Sequence, residues 1–198
     1  MKTLTNCLRY VLLALPLLFF ACKDKDPDTD TDDVVYVGSS DKKVYAFDAP
    51  SGAKKWEFLT GGVVYGSPAF SNGVVYAGSY DNKLYAIDGS TGMKKWEFLT
   101  GSGIYSNPAV SNSLVYIGSS DKKVYAVDAV TGTSKWVFLT GSSIISSPAV
   151  SNGIVYVGND DYRLYALDAA TGVQKWAFTT DCRAWAACCL ARCFHRSG

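Results

Sequence analysis

The sequence predicts an all-β fold: a β-propeller segment of four repeats of about forty residues, and so a partial or small propeller. Three observations carry that expectation. A forty-residue unit recurs from Val34 to Thr180 without slipping register. Each unit holds four short β-rich runs separated by turn chemistry, as in "VVYVG", "KVYAFD", "KWEFLT" and "SPAFS". The runs are apolar on both faces, so each small sheet must be covered front and back, and radial stacking of four-stranded sheets meets that demand.

In chain order, residues 1–21 read as a signal peptide. Lys2 and Arg9 precede the apolar run "VLLALPLLFFAC", which is about half the ~20 residues that a membrane-spanning helix needs. "LFFAC" resembles a lipobox, the bacterial signal for attaching lipid to a cysteine and cleaving before it, and so marks Cys22 as the lipid-attachment residue. Residues 22–33, with "KDKDPDTDTDD", are an acidic tether. Their alternating aspartates lack the central glycine and terminal glutamate of an EF-hand loop, and such charged segments repel themselves and extend. The expected localisation is export across the inner membrane to the outer membrane, as a periplasmic or surface-exposed lipoprotein.

Residues 34–180 are the repeats. Asn72-Gly73 and Asn152-Gly153 suit the two positive-φ positions of a type I′ hairpin turn. In "AFDAPSGAKKW" the Asp48 carboxylate can hold the turn while Gly52 takes a conformation that a side chain disfavours. The first repeat lacks an innermost strand of its own. Balanced composition excludes some partners: 48% hydrophobic and 14% aromatic residues rule out a disordered chain, and a net charge of +1 with interleaved lysines and aspartates offers no stripe for nucleic acid.

Residues 181–198, "DCRAWAACCLARCFHRSG", form an aberrant tail rich in cysteine and arginine. A zinc site is disfavoured because C-x5-C-C-x3-C-x-H is not the paired C-x2-C pattern of structural zinc. Disulfides have no evident use in a repeat region that contains no cysteine. A native frame ending near Thr180, followed by foreign translation, accounts for where the pattern breaks as well as for what replaces it.

The pattern AxDxxxGxxxW occurs with Asp48, Gly52 and Trp56; with Asp88, Gly92 and Trp96; with Asp128, Gly132 and Trp136; and with Asp168, Gly172 and Trp176. It resembles the tryptophan-docking motif of pyrroloquinoline quinone (PQQ)-like propeller repeats. The resemblance implies that each tryptophan packs on the glycine turn of the next blade and is structural.

Some members of that family are PQQ-dependent dehydrogenases, so one reading is a fragment of such an enzyme. The resemblance would then require a calcium constellation, an aspartate base and a disulfide of adjacent cysteines beside the quinone. The repeats supply no cysteine or histidine, and Cys188-Cys189 stands outside them. The expectation is therefore no catalysis, no catalytic residue, no metal and no cofactor. The favoured reading is a non-catalytic envelope lipoprotein whose propeller is a protein-interaction or scaffolding module, similar to the family's lipoprotein propeller that assists outer-membrane protein assembly. The alternative is a surface glycan- or ligand-binding protein. Either partner would meet the loop face, where Tyr65, Tyr80, Tyr105 and Tyr162 break the repeat. The membrane would be engaged through the lipid anchor, and incomplete propellers could also self-associate.

Overall fold

A computed structural model describes residues 33–180. Cys22, the signal segment 1–21, the tether to residue 32 and the tail 181–198 lie outside the described residues.

Among the described residues, fifteen antiparallel strands form four sheets, each in sequence order. The first has three strands, β1 (Val34–Gly38), β2 (Lys43–Asp48) and β3 (Lys54–Leu59). The second holds β4 (Ala69–Ser71), β5 (Val74–Gly78), β6 (Lys83–Asp88) and β7 (Lys94–Leu99). The third holds β8 (Ala109–Ser111), β9 (Leu114–Gly118), β10 (Lys123–Asp128) and β11 (Ser134–Leu139). The fourth holds β12 (Ala149–Ser151), β13 (Ile154–Gly158), β14 (Arg163–Asp168) and β15 (Gln174–Thr179). Each sheet is a meander, a blade of a propeller, and the short inner strands β4, β8 and β12 neighbour one another in turn. Among the described residues the sheets do not close into a ring.

The turns follow from local chemistry. Asn72 and Gly73 join β4 to β5 at φ 50° and 75°, and Asn152 and Gly153 repeat this at 50° and 72°. Between β6 and β7 the Asp88 carboxylate accepts the amides of Ser90 (3.1 Å) and Thr91 (3.0 Å), while its carbonyl accepts the amide of Gly92 at 2.9 Å. The ladder then shifts register between Ala86 and Ile87, a bulge that recurs at the same place in every blade.

The core lies between blades rather than within one. Val44, Ala46 and Trp56 of the first blade meet Val75, Ala77, Tyr85 and Ile87 of the second. The second meets the third, and the third the fourth, through equivalent residues. Middle strands β6, β10 and β14 are consequently buried on both faces, whereas outer strands alternate with solvent. Not every sheet is covered front and back, as the sequence led one to expect. Val35 and Val37 at one end, and the whole of β15 at the other, are exposed.

Candidate interaction face

One end of the blades gathers the loops that link consecutive blades and the hairpin turns of the middle strands. The link from β3 to β4 lies on the next blade's turn. The amide of Gly61 donates to Asp81 Oδ2 at 2.6 Å, and the amide of Tyr80 to the carbonyl of Val63 at 2.8 Å. Asp81 also accepts the Tyr85 hydroxyl (2.6 Å) and the amide of Lys83 (3.1 Å), so it ties loop, turn and strand together. Asp121 repeats the device with Gly101 and Tyr125, at 2.8 and 2.5 Å. Burial, then the Asp81 carboxylate, pushes the Tyr85 hydroxyl well above the usual tyrosine range, and Tyr125 is raised in the same way by burial and Asp121. In each loop an apolar plug, Val64, Ile104 or Ile144, is fully buried, and the residue after it points outward.

Those outward residues are Tyr65, Tyr105 and Ile145. The structure brings three tyrosines together. Tyr65 stacks on Tyr105 with ring centroids 5.4 Å apart, and Tyr80 stands edge-on to Tyr105 at 5.3 Å and to Tyr65 at 6.4 Å. Tyr65 and Tyr80 remain 63% and 52% exposed, and Tyr105 is half-buried beneath them. Hydrogen bonding with Tyr80, then burial and the two neighbouring phenols, pushes the Tyr105 hydroxyl up to about 12. The three closely packed rings form an apolar surface edged by hydroxyl groups.

Tyr162 does not join them. It takes the third position of the β13–β14 turn at φ 63°, where the other blades carry Lys42, Asn82 and Lys122 at φ 69°, 72° and 73°, and it makes no ring contact among the described residues. Sequence comparison of the repeats missed Gly103. A carbon placed on it would lie 2.7 Å from Tyr80 Cδ2, so the glycine opens the loop for the Tyr80 ring. Its signal was present in the alignment of Gly103 with Val63 and Ser143.

The opposite end carries the docking motif. Trp56 Nε1 donates to the carbonyl of Gly89 at 2.8 Å, Trp96 to Ala129 at 3.1 Å and Trp136 to Ala169 at 2.9 Å. The same carbonyls accept the hydroxyls of Tyr36, Tyr76 and Tyr116, at 3.2, 3.1 and 3.0 Å. Gly92, Gly132 and Gly172 lie against the indoles; a carbon on them would sit 2.6–2.9 Å from the ring. Asp48, Asp88, Asp128 and Asp168 anchor the turns, and the last three pair with Lys95, Lys135 and Lys175 at 3.1–3.2 Å. Two grooves between blades, of about 430 and 180 Å³, open at this end beside Lys95.

A calcium-quinone site finds no fit among these residues. No three His, Cys, Asp or Glu side chains converge among the described residues. Asp88, Asp128 and Asp168 are committed to turn amides and lysines, and Asp81 and Asp121 to loop amides and tyrosine hydroxyls, whereas Asp161 accepts the Tyr165 hydroxyl on Oδ2 and keeps a buried Oδ1 without a hydrogen-bond partner among the described residues.

The sequence profile of the family described as outer membrane protein assembly factor BamB matches residues 24–107 and 100–184. No curated protein matches the sequence. Solved structures share the fold. BamB from Moraxella catarrhalis superposes with a TM-score of 0.65 at 22% identity, over 76% of this chain and 48% of that one. The computationally designed Ika8 protein gives 0.72 at 21% identity, over 78% and 49%. A europium-containing methanol dehydrogenase gives 0.66 at 18% identity, over 74% and 40%. The chain therefore spans about half the length of the first two structures and less of the third.

Proposed function

We propose, from the premise that this chain belongs to the PQQ-repeat family described as outer membrane protein assembly factor BamB, that it is a non-catalytic interaction module of the bacterial cell envelope. It presents the face of Tyr65, Tyr80 and Tyr105 to a protein partner. Lipid on Cys22 would hold it at the outer membrane, with residues 22–33 as the tether.

The convergence of the three rings carries the reading. Each tyrosine has few rotatable bonds, and the mutual stacking restricts them before a partner arrives, so little side-chain freedom remains to be lost on binding. Large amphipathic rings at the centre of a loop face are the residue type that concentrates binding energy in protein interfaces. The loop beneath is held by Asp81 and Asp121 to the middle strands, through the loop amides of Gly61 and Gly101 and the hydroxyls of Tyr85 and Tyr125. Against catalysis stands the commitment of the acids: a carboxylate that already accepts turn amides is poorly placed to act as a base.

The test replaces Tyr65, Tyr80 and Tyr105 together by alanine in the full chain. Envelope proteins captured by wild type and variant are then compared quantitatively. The expected result is loss of one or a few captured proteins with the melting temperature little changed. An unchanged capture would remove the tyrosine face from the function. Variant-sensitive binding on a glycan array would replace the protein partner by a glycan. Substrate-dependent dye reduction after loading with PQQ and calcium would overturn the non-catalytic reading.

A further inference from the structure

The three blade-to-blade interfaces are built from one repeated pair of faces. The leading face offers a tryptophan and a tyrosine that share one acceptor, and a phenylalanine that sits edge-on to the next blade's tyrosine: Phe58 to Tyr85 at 5.4 Å, Phe98 to Tyr125 at 5.4 Å and Phe138 to Tyr165 at 5.6 Å. The receiving face offers the glycine turn, the acceptor carbonyl and the apolar residues of the middle strands.

Among the described residues, four blades make three such interfaces, and one face of each kind has no partner blade; on the fourth blade the exposed part of that face is the outer strand, while Leu164 and Ala166 of the middle strand are buried. On the fourth blade, Trp176 and Tyr156 keep the same mutual geometry as the docked pairs, at 5.9 Å against 5.7–5.8 Å. Their indole N–H and hydroxyl have no acceptor among the described residues, and Phe178 is 63% exposed. On the first blade, nothing lies within 4 Å of a carbon placed on Gly52, whereas the same carbon at Gly92, Gly132 or Gly172 meets an indole. The carbonyl of Ala49, equivalent to those of Gly89, Ala129 and Ala169, accepts no ring donor among the described residues. Val35 and Val37 are exposed there, although their equivalents in the later blades are fully buried.

We infer that a second copy of this chain covers these faces: Trp176, Tyr156 and Phe178 of one copy dock on the Gly52 turn of the other, and the reverse contact closes a two-fold ring of eight blades. The occupant is identified by shape and donor pattern, because the unused leading face is a copy of three faces already seen docked on copies of the unused receiving face. A head-to-tail contact of this kind closes when the rotation per blade completes a circle, and otherwise runs on into an open filament. The inference does not depend on the tyrosine face or on its partner.

The experiment measures the mass of the full chain in mild detergent by native mass spectrometry, over a range of concentrations. A dimer is expected. Trp176→Ala should weaken association by about thirtyfold or more, the loss that marks an interfacial hot spot. Gly52→Asn should do the same while staying folded, because asparagine tolerates positive φ and the space beside Gly52 is empty in the single chain. Tyr65→Ala, on the loop face, should leave association unchanged. A monomer, an open series of oligomers, or a dimer indifferent to both substitutions would each overturn the proposal. A monomer in which Trp176, read as the emission lost on Trp176→Phe, moves to a more exposed environment when residues 182–198 are deleted would assign the face to the chain's own tail, and would overturn it as well.

Discussion

Trp136 and Trp176 occupy the same repeat position, 40 residues apart, yet the first is 9% exposed and the second 39%. Trp136 lies on Gly172 and donates to the carbonyl of Ala169; Trp176 has the same local strand and the same neighbouring tyrosine, and no acceptor or glycine turn meets it among the described residues. The difference between the filled interfaces and the open ends is therefore made entirely by the neighbour. A blade's own hydrogen bonds form either way, since the first and last blades keep their ladders and turns. Most of the apolar burial waits for the adjoining sheet, as expected where stability is carried by nearest-neighbour terms.

The largest effect that would test this contrast is a pair of alanine substitutions. Trp136→Ala removes a buried indole from a closed interface and should cost about 3–5 kcal/mol in chemical denaturation. Trp176→Ala, measured where association has been diluted away, should cost clearly less, about 1–2 kcal/mol, because the residue is already 39% exposed against 9% for Trp136. Equal losses at the two positions would mean that Trp176 is covered within the chain, and the contrast would fail.

Acid sensitivity separates what is local from what depends on neighbours. The amide of Thr131, followed by Lys135 and the amide of Val130, holds the Asp128 carboxyl down at about 2, and Ser51 holds Asp48 below the ordinary carboxylate range. A carboxyl with a depressed pKa in the folded state stabilises above its unfolded value and loses that contribution as the pH falls through the folded value. The melting temperature should therefore stay level from neutral pH to about 5 and fall between about 4 and 2. Asp48→Asn at the open end and Asp128→Asn inside the stack should each blunt that fall to a similar degree. A response from Asp128 alone would show that the anchor needs a neighbouring blade.

The forty-residue period made the propeller legible because every copy repeats both the strand pattern and the turn residues. The docking motif was legible for the same reason: AxDxxxGxxxW puts a tryptophan on an outer strand and a positive-φ glycine in the turn before it, and Gly92 at φ 74° and Gly132 at φ 70° receive Trp56 and Trp96. The repeat could not tell which copies have a partner, since Gly52 and Trp176 are written like the others. Nor could it separate Tyr80 from Tyr162. Both replace a polar residue in the same hairpin turn, two positions apart, and only Tyr80 has a glycine-opened loop and two tyrosines beside it. The tyrosines that share an acceptor with each tryptophan went unread because Tyr36, Tyr76 and Tyr116 look like ordinary strand residues in "VVYVG", "VVYAG" and "LVYIG".

The smallest expected effect tests whether backbone strain is indifferent to the neighbours. The β8–β9 hairpin turn has Asn112 at φ 49° and Ser113 at φ 60°, where the equivalent turns have glycine at φ 72–75°. A type I′ turn needs positive φ at both central residues, and serine pays a steric penalty there that glycine avoids. Space is not the issue: a carbon placed on Gly73 or Gly153 meets nothing within 4 Å. The carbonyl of Ser113 accepts the amide of Ala129 at 2.9 Å, as that of Gly73 accepts Gly89 and that of Gly153 accepts Ala169, so the hydrogen bond survives exchange in either direction. Ser113→Gly should therefore stabilise the protein by about 0.5–1 kcal/mol, the relief of αL strain reduced by glycine's greater freedom in the unfolded chain. Gly73→Ser and Gly153→Ser should cost about the same amount. The first lies between filled interfaces and the second in the blade with the open face, so equal costs would confine the difference between the two regions to packing. A markedly larger cost at Gly153 would show instead that a missing neighbour loosens the backbone of the blade itself.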